Sequence, residues 1–265
     1  MRTGCVALTV EKHAGGVALV RLEAEAAKNA FDAETMQEIS DALNAQMDDH
    51  DVRAIILTGT GQFFSAGADI NAFEQHLESG TIGPLVDELT TILHPLLSRL
   101  RTTDKVYVAA LNGAAAGAGL GLALSADYRV AGPDAKLAAA FFRLGLTPDG
   151  GTTWLLPRLV GLQRTKCFFF NNETWGPETA LAYGAVDEVV DNDQLLDRAI
   201  EVARDWGSWS LRSRRASKQL LDSQSSLFFD PQLDFEQMLI TDAAMSDDFK
   251  EGVEAFLKKR DPEFS

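Results

Sequence analysis

Residues 112–127 read NGAAAGAGLGLALSAD and follow directly on the apolar run KVYVAAL. A strand that feeds a glycine-rich turn and then a helix is a common way of holding something anionic on backbone N–H groups. Three anions fit such a turn: a dinucleotide, a phosphate, or the oxygen of a reacting carbonyl. A fourth reading is plain packing, with glycine wherever helix and sheet come into contact. A dinucleotide fingerprint requires G-x-G-x-x-G and an acidic residue about twenty positions later. This stretch has Gly117-x-Gly119-x-Gly121, sits mid-chain, and is followed by no strand-terminal acid at that distance. No Gly-Lys-Ser/Thr occurs, so the phosphate-loop reading also falls away. Packing and the carbonyl oxygen remain.

Val106–Ala126 carries no charge and is long enough to cross a bilayer. It contains Gly113-x-x-x-Gly117 and Gly117-x-x-x-Gly121, but Asn112 and four glycines interrupt it. It reads as a buried strand followed by a buried helix. The whole chain agrees with a soluble α/β protein: 265 residues, 46% hydrophobic, 24% charged. A net charge of −15 argues against nucleic acid as a partner, and any anionic ligand would need a local basic patch. Cys5 and Cys167 have no metal-ligand spacing and suit free thiols in a reducing cytoplasm. Glu11 and Lys12 break the opening segment, so no signal peptide is expected.

A second loop resembles the first. FFSAGADI follows the strand RAIILTGT as NGAAAGAG follows KVYVAAL. Two such turns side by side would aim two N–H groups at one oxygen. Ser65 does not fit G-x-S-x-G, and His13, His50, His76 and His94 bear no fixed relation to it, so it reads as a turn residue rather than a nucleophile. Elsewhere, CVALTVEK and VALVRLE read as a hairpin, Asp32 caps a helix running to about Met47, and Leu85–Leu100 is amphipathic. DYRVAG and KLAA are short strands, PDGGTT opens an apolar helix, and Pro177–Tyr183 is a short helix closed by Gly184. AVDEVV reads as a last strand, and everything after Asn192 as helix. Alternating strands and helices followed by a run of helices predict an α/β core with a helical tail.

FFSAGADI, NGAAAGAGLGLALSAD, LGLTPDGGTTWLLPRLVG and EGVEAFLKKR occur in the order and spacing of the crotonase (enoyl-CoA hydratase/isomerase) superfamily, which the chain resembles over essentially its whole length. Within it, GLTPDGGTTWLLPRLVG and the AGAGxxLALxxD pattern are most similar to ring-1,2-epoxyphenylacetyl-CoA isomerases of phenylacetate breakdown. The resemblance implies a ClpP-like spiral of β-β-α units over residues 1–204, with a helical oligomerisation and CoA-capping segment over 205–265. It also implies an acyl-CoA ligand and a trimer or dimer of trimers, with no membrane or nucleic-acid partner and no metal or redox cofactor. Carried over by motif, the N–H groups of Ala66 and Ala118 would form an oxyanion hole for the thioester oxygen. Ala66, Gly67, Ala68 and Asp69 would line the CoA site, and Phe256 and Lys259 would reach a neighbouring subunit's CoA. Lys258, Lys259 and Arg260 would then supply the basic patch.

Family hydratases use two glutamates, and by motif these positions fall at Gly121 and Phe141, which cannot move a proton. Asp149 remains. It would act as the single base of a 1,3-proton shift through an enolate, desolvated by Phe141, Phe142 and Trp154 in an acyl pocket. Pro-Asp-Gly-Gly is also ordinary turn chemistry, and Asp149 would serve as well to cap the helix starting near Gly150. A hydratase, hydrolase or lyase of the same fold and a non-catalytic acyl-CoA-binding protein are the alternatives. Asp69 reads as a loop-structuring acid, Arg212, Arg214, Arg215 and Lys218 as a solvated helix face, and His94 as structural or exposed. Two departures stand out: Ala24-Glu25 replaces the family's usual Arg-Pro, and Thr152 a frequent glycine.

Overall fold

The computed structural model describes residues 8–24, 27–223 and 229–264, so Cys5 and Glu25 lie outside the described residues. β1 (Leu8–His13) and β2 (Val17–Leu22) form the expected antiparallel hairpin. α1 (Ala33–Asp48) begins at Asp32, whose carboxylate accepts the Thr35 N–H at 2.9 Å. Its buried residues include Met36, Ile39, Leu43 and Met47, the stripe set by helical spacing.

From there the chain spirals. β3 (Ala54–Thr58) enters one sheet and β4 (Phe63–Ser65) a second, and then α2 (Ile70–Glu78) and α3 (Ile82–Thr102) return the chain. The next turn is β5 (Val106–Leu111), β6 (Ala114–Ala116) and α4 (Ala118–Leu124). The third is β7 (Tyr128–Ala131), β8 (Lys136–Ala138), α5 (Thr152–Val160) and α6 (Leu162–Phe170). β9 (Thr174–Trp175), α7 (Pro177–Tyr183) and β10 (Glu188–Val189) complete the sheets. The larger sheet has the order β1-β2-β3-β5-β7-β10 and the smaller β4-β6-β8-β9. Each turn of the β-β-α spiral thus lays one strand in each sheet, parallel to the strand of the previous turn. This is the α/β core that the sequence pattern predicts and the spiral that the family resemblance implies, and the uncharged stretch is a strand, a second strand and a helix. Among the described residues, no helix is long and apolar enough to cross a membrane.

The central strands β3 and β5 are buried at every position, which explains their unbroken apolar runs. Alternate residues face opposite layers. Ile55, Leu57, Tyr107 and Ala109 pack under α1 and α3, whereas Ala54, Ile56, Val106 and Val108 pack under α8 (Leu195–Gly207). α8 contributes Ala199, Val202 and Ala203 to that second layer and runs across position 204. The tail continues as α9 (Leu211–Ser223), α10 (Phe229–Ala244) and α11 (Asp247–Lys258).

The solvated-face reading of α9 holds for Arg212 and Arg215, which are exposed, and is corrected for Arg214 and Lys218. Arg214 donates from Nη1 to the carbonyls of Arg53 and Asp104, both at 2.9 Å. Burial holds its guanidinium below its ordinary pKa. Lys218 donates from Nζ to Leu100 O, Lys105 O and the Asp127 carboxylate. These cations satisfy carbonyls at the ends of core elements, so they anchor the helix rather than solvate it.

Candidate active site

Both glycine-rich turns end at one cavity of about 290 Å³. The β4 turn contributes Ala66, Ala68 and Ile70, the start of α4 contributes Ala118, and one face of α3 contributes Val86, Leu89, Thr90 and Leu93. The segment between β8 and α5 closes it with Phe141, Leu144, Leu146 and Asp149. Asp149 is the one ionisable side chain among the described residues of this wall.

Among the alanines of these two turns that line the cavity, the two whose N–H groups are left without an acceptor are not quite the expected pair. The Ala66 N–H is committed to Lys28 O at 3.1 Å, and this corrects its assignment as an oxyanion donor. Ala68 pairs with Phe31 as a parallel bridge in which Phe31 N donates to Gly67 O and Asp69 N to Phe31 O. That pattern turns the Ala68 N–H away from Phe31. Ala118 opens α4, where first-turn N–H groups lack helical acceptors. No acceptor for the N–H of Ala68 or Ala118 is present among the described residues. The two loops touch: a Cβ built on Gly67 would lie 2.9 Å from Ala118 N. Ser65 fixes this arrangement, donating to Asn29 O at 2.8 Å and accepting from Gly67 N at 3.1 Å. Its fully buried hydroxyl is a loop brace, not a nucleophile.

Asp149 is carried to the same place by Gly150 and Gly151, at φ +63° and +70°. Two consecutive left-handed residues are tolerated by glycine alone at low cost. Gly150 lies against the first turn of α4: its own Cβ would come within 3.5 Å of Ala118, and a Cβ on Gly121 would lie only 2.2 Å from Gly150 O. Asp149 is therefore next to the residue that packs on Ala118. The capping alternative does not hold. α5 is capped by Gly151 without a side-chain bond, and it is the Asp149 carbonyl, not its carboxylate, that accepts from Thr152 N and Oγ1. The carboxylate instead meets His94, with Nε2 2.8 Å from Oδ1. A carboxylate only accepts, so Nε2 carries the proton in this contact.

His94 is exposed, as the sequence reading has it, but its bond to Asp149 is what that reading missed. The residue follows Leu93 and lies one helical turn beyond Thr90, so the stripe of α3 that forms the wall pointed to it.

Two expected acyl-pocket residues lie elsewhere. Trp154 stacks between the guanidiniums of Arg101, at 4.1 Å, and Arg158, at 3.4 Å, in a separate cleft. Leu155 and Leu156 take the buried face of α5, and Trp154 and Arg158 form its outer stripe. Phe142 begins a 3₁₀ turn (Phe142–Leu144) and packs edge-on against Phe170 at 5.4 Å. With three residues per turn, Phe141 and Leu144 share the cavity side and Phe142 does not. Asp69 caps α2 by accepting from Asn71 N. Phe256 is 83% exposed on α11, and Lys259 closes that helix in the left-handed conformation. Lys258 pairs with Glu254 and Arg260 with Glu251, so helix acids offset two cations of the basic patch. Arg260 holds the Glu251 carboxyl down at about 2.

The spiral of β-β-α turns, with its cavity between successive turns, is shared with known proteins. The family model for enoyl-CoA hydratase/isomerase matches residues 12–265. A 1,2-epoxyphenylacetyl-CoA isomerase of Escherichia coli is 35% identical over 251 residues, covering 94% of this chain and 95% of that protein. A 2,3-dehydroadipyl-CoA hydratase of the same organism is 32% identical, covering 94% of each. The crystal structure of a putative enoyl-CoA hydratase/isomerase from Mycobacterium abscessus superposes with a TM-score of 0.91 at 33% identity, covering 98% of this chain and 99% of that one. The chain belongs to the enoyl-CoA hydratase/isomerase family. Its relatives carry both isomerase and hydratase names.

Proposed function

We propose that the chain is an acyl-CoA isomerase that moves one proton through a thioester enolate. The observation carrying this reading is the lone carboxylate: Asp149 faces the cavity, and neither position where family hydratases hold a glutamate offers another. Phe141 is apolar, and Gly121 has no room for a side chain beside Gly150 O. Adding water across a double bond calls for an acid and a base together, whereas a single base suffices for a 1,3-shift.

In this reading the thioester oxygen sits between the N–H groups of Ala68 and Ala118. Each such donor is worth about 3–4 kcal/mol when charge develops on the oxygen. Asp149 takes a proton from the carbon chain, the C–H electron pair enters the enolate, and the same carboxyl returns the proton two carbons along. Nothing is oxidised or reduced, so the chemistry calls for no redox cofactor. Gly67, Ala68 and Asp69 would lie along the CoA moiety. Phe256 and Lys259, exposed on α11, would cover the CoA of a neighbouring copy in a homo-oligomer. A double-bond shift is the primary reaction. Opening of a ring epoxide beside the thioester uses the same enolate and follows from the likeness to the Escherichia coli isomerase.

Asp149→Asn keeps the shape and removes the base. Conversion of 3-enoyl-CoA to 2-enoyl-CoA should fall by about 10²–10⁴-fold, with acyl-CoA binding by calorimetry retained. Undiminished conversion by the variant would assign Asp149 to structure alone.

A further inference from the structure

We propose that His94 is the positioning residue for Asp149: its Nε2–H holds Oδ1 at the solvent edge of the site and leaves Oδ2 for the substrate proton. This rests on the assignment of Asp149 as the base.

Asp149 precedes two glycines at a helix start, where a carboxylate would ordinarily turn back onto N–H groups of the helix. Here it does not, because its carbonyl already accepts from Thr152 and the cap carries no side-chain bond. His94 is the hydrogen-bond partner of the carboxylate among the described residues. The surrounding wall is apolar, and an ionised carboxylate against such a wall is costly without a donor. His94 supplies that donor from outside: its side chain is 52% exposed against 36% for Asp149, and it is not itself part of the cavity wall. The ring therefore reaches the carboxylate from a position outside the cavity lining. α3 fixes the backbone from which the ring projects, since the preceding residue, Leu93, is buried in the core.

The proton balance is simple. The α C–H bond breaks, an O–H bond forms on Oδ2, and the electron pair enters the enolate. On return the O–H bond breaks and the enolate pair forms the new C–H bond. Nε2–H remains on His94 throughout, so the ring orients the base and transfers no proton.

The test uses the full-length protein and butyryl-CoA in deuterated water, following exchange of the α protons by mass spectrometry. This readout needs only the base, the enolate and a swap of the carboxyl proton for solvent deuterium, which the 36% exposure of Asp149 allows. His94→Leu removes the donor at a half-exposed position and should slow exchange by about 10–100-fold in kcat, the scale of a hydrogen bond to a charged group, with KM within about twofold. His94→Gln, which keeps an N–H, should restore most of the rate. In the Asp149→Asn background His94→Leu should have no further effect. Wild-type exchange by His94→Leu, equal losses in Leu and Gln variants, or an additive loss in the double variant would each overturn the proposal. Isomerisation of 3-enoyl-CoA is measured in parallel. Expected exchange without isomerisation retains His94 and refutes the isomerase reading, whereas isomerisation with an unaffected His94→Leu does the reverse. A wild type that neither exchanges an α proton nor isomerises 3-enoyl-CoA overturns both.

Discussion

A single missing side chain, at Gly121, shapes the chemistry of this site. A Cβ there would lie 2.2 Å from Gly150 O and 2.9 Å from Gly150 Cα, well inside any contact distance. The backbone that would have to move is the one that carries Asp149. Gly121→Glu should therefore lower stability by about 1–3 kcal/mol through overpacking and should abolish proton exchange without creating hydration. Thermal unfolding and product analysis check both, and an active hydratase with an unchanged melting temperature would refute the steric argument. The same scale shows where motif reading stopped. Ala66 and Ala68 stand two positions apart in FFSAGADI, but Lys28 O takes one N–H and the Phe31 bridge turns the other free. Nothing local to that motif states which. His94 and Asp149 are 55 positions apart, and only the packing of α3 against the β8–α5 segment joins them.

Elements were far more legible than donors. Helical spacing places α1 and α3, and unbroken apolar runs place the central strands, because burial of one stripe or of two faces leaves a pattern in the sequence. Charge misleads in α9. LRSRRASKQLL reads as a wet helix, yet Lys218 caps carbonyls at the end of α3 and before β5, and pairs with Asp127 at 2.8 Å. Asp127 also accepts the Tyr107 N–H at 2.8 Å, so the cation closes a network at the base of the core. Lys218→Met should cost about 2–3 kcal/mol, because it strands a partly buried carboxylate and two carbonyls. Urea denaturation measures this directly. A loss within a few tenths of a kcal/mol would return Lys218 to the role of a surface charge. Trp154 shows the opposite error: an aromatic beside the catalytic loop invites a pocket role, but the helix turns it outward between two guanidiniums.

The whole molecule joins two loops from successive turns of one spiral. β4 and β6 are neighbours in the smaller sheet, so the turns that follow them lie side by side and present Ala68 and Ala118 to one cavity. The third turn adds Asp149 through the Gly121–Gly150 contact. The α/β core was legible in the alternation of strands and helices, whereas the spiral itself was read from the resemblance to the family. The reaction depends instead on which groups share one wall. The most direct measurement is incubation of the wild-type protein with 3-enoyl-CoA and, separately, 2-enoyl-CoA in deuterated water, with products and label position resolved by mass spectrometry. The expected result is interconversion of the two with deuterium at the α and γ carbons and no hydroxyacyl-CoA. Accumulation of 3-hydroxyacyl-CoA without a double-bond shift would contradict the single-base mechanism.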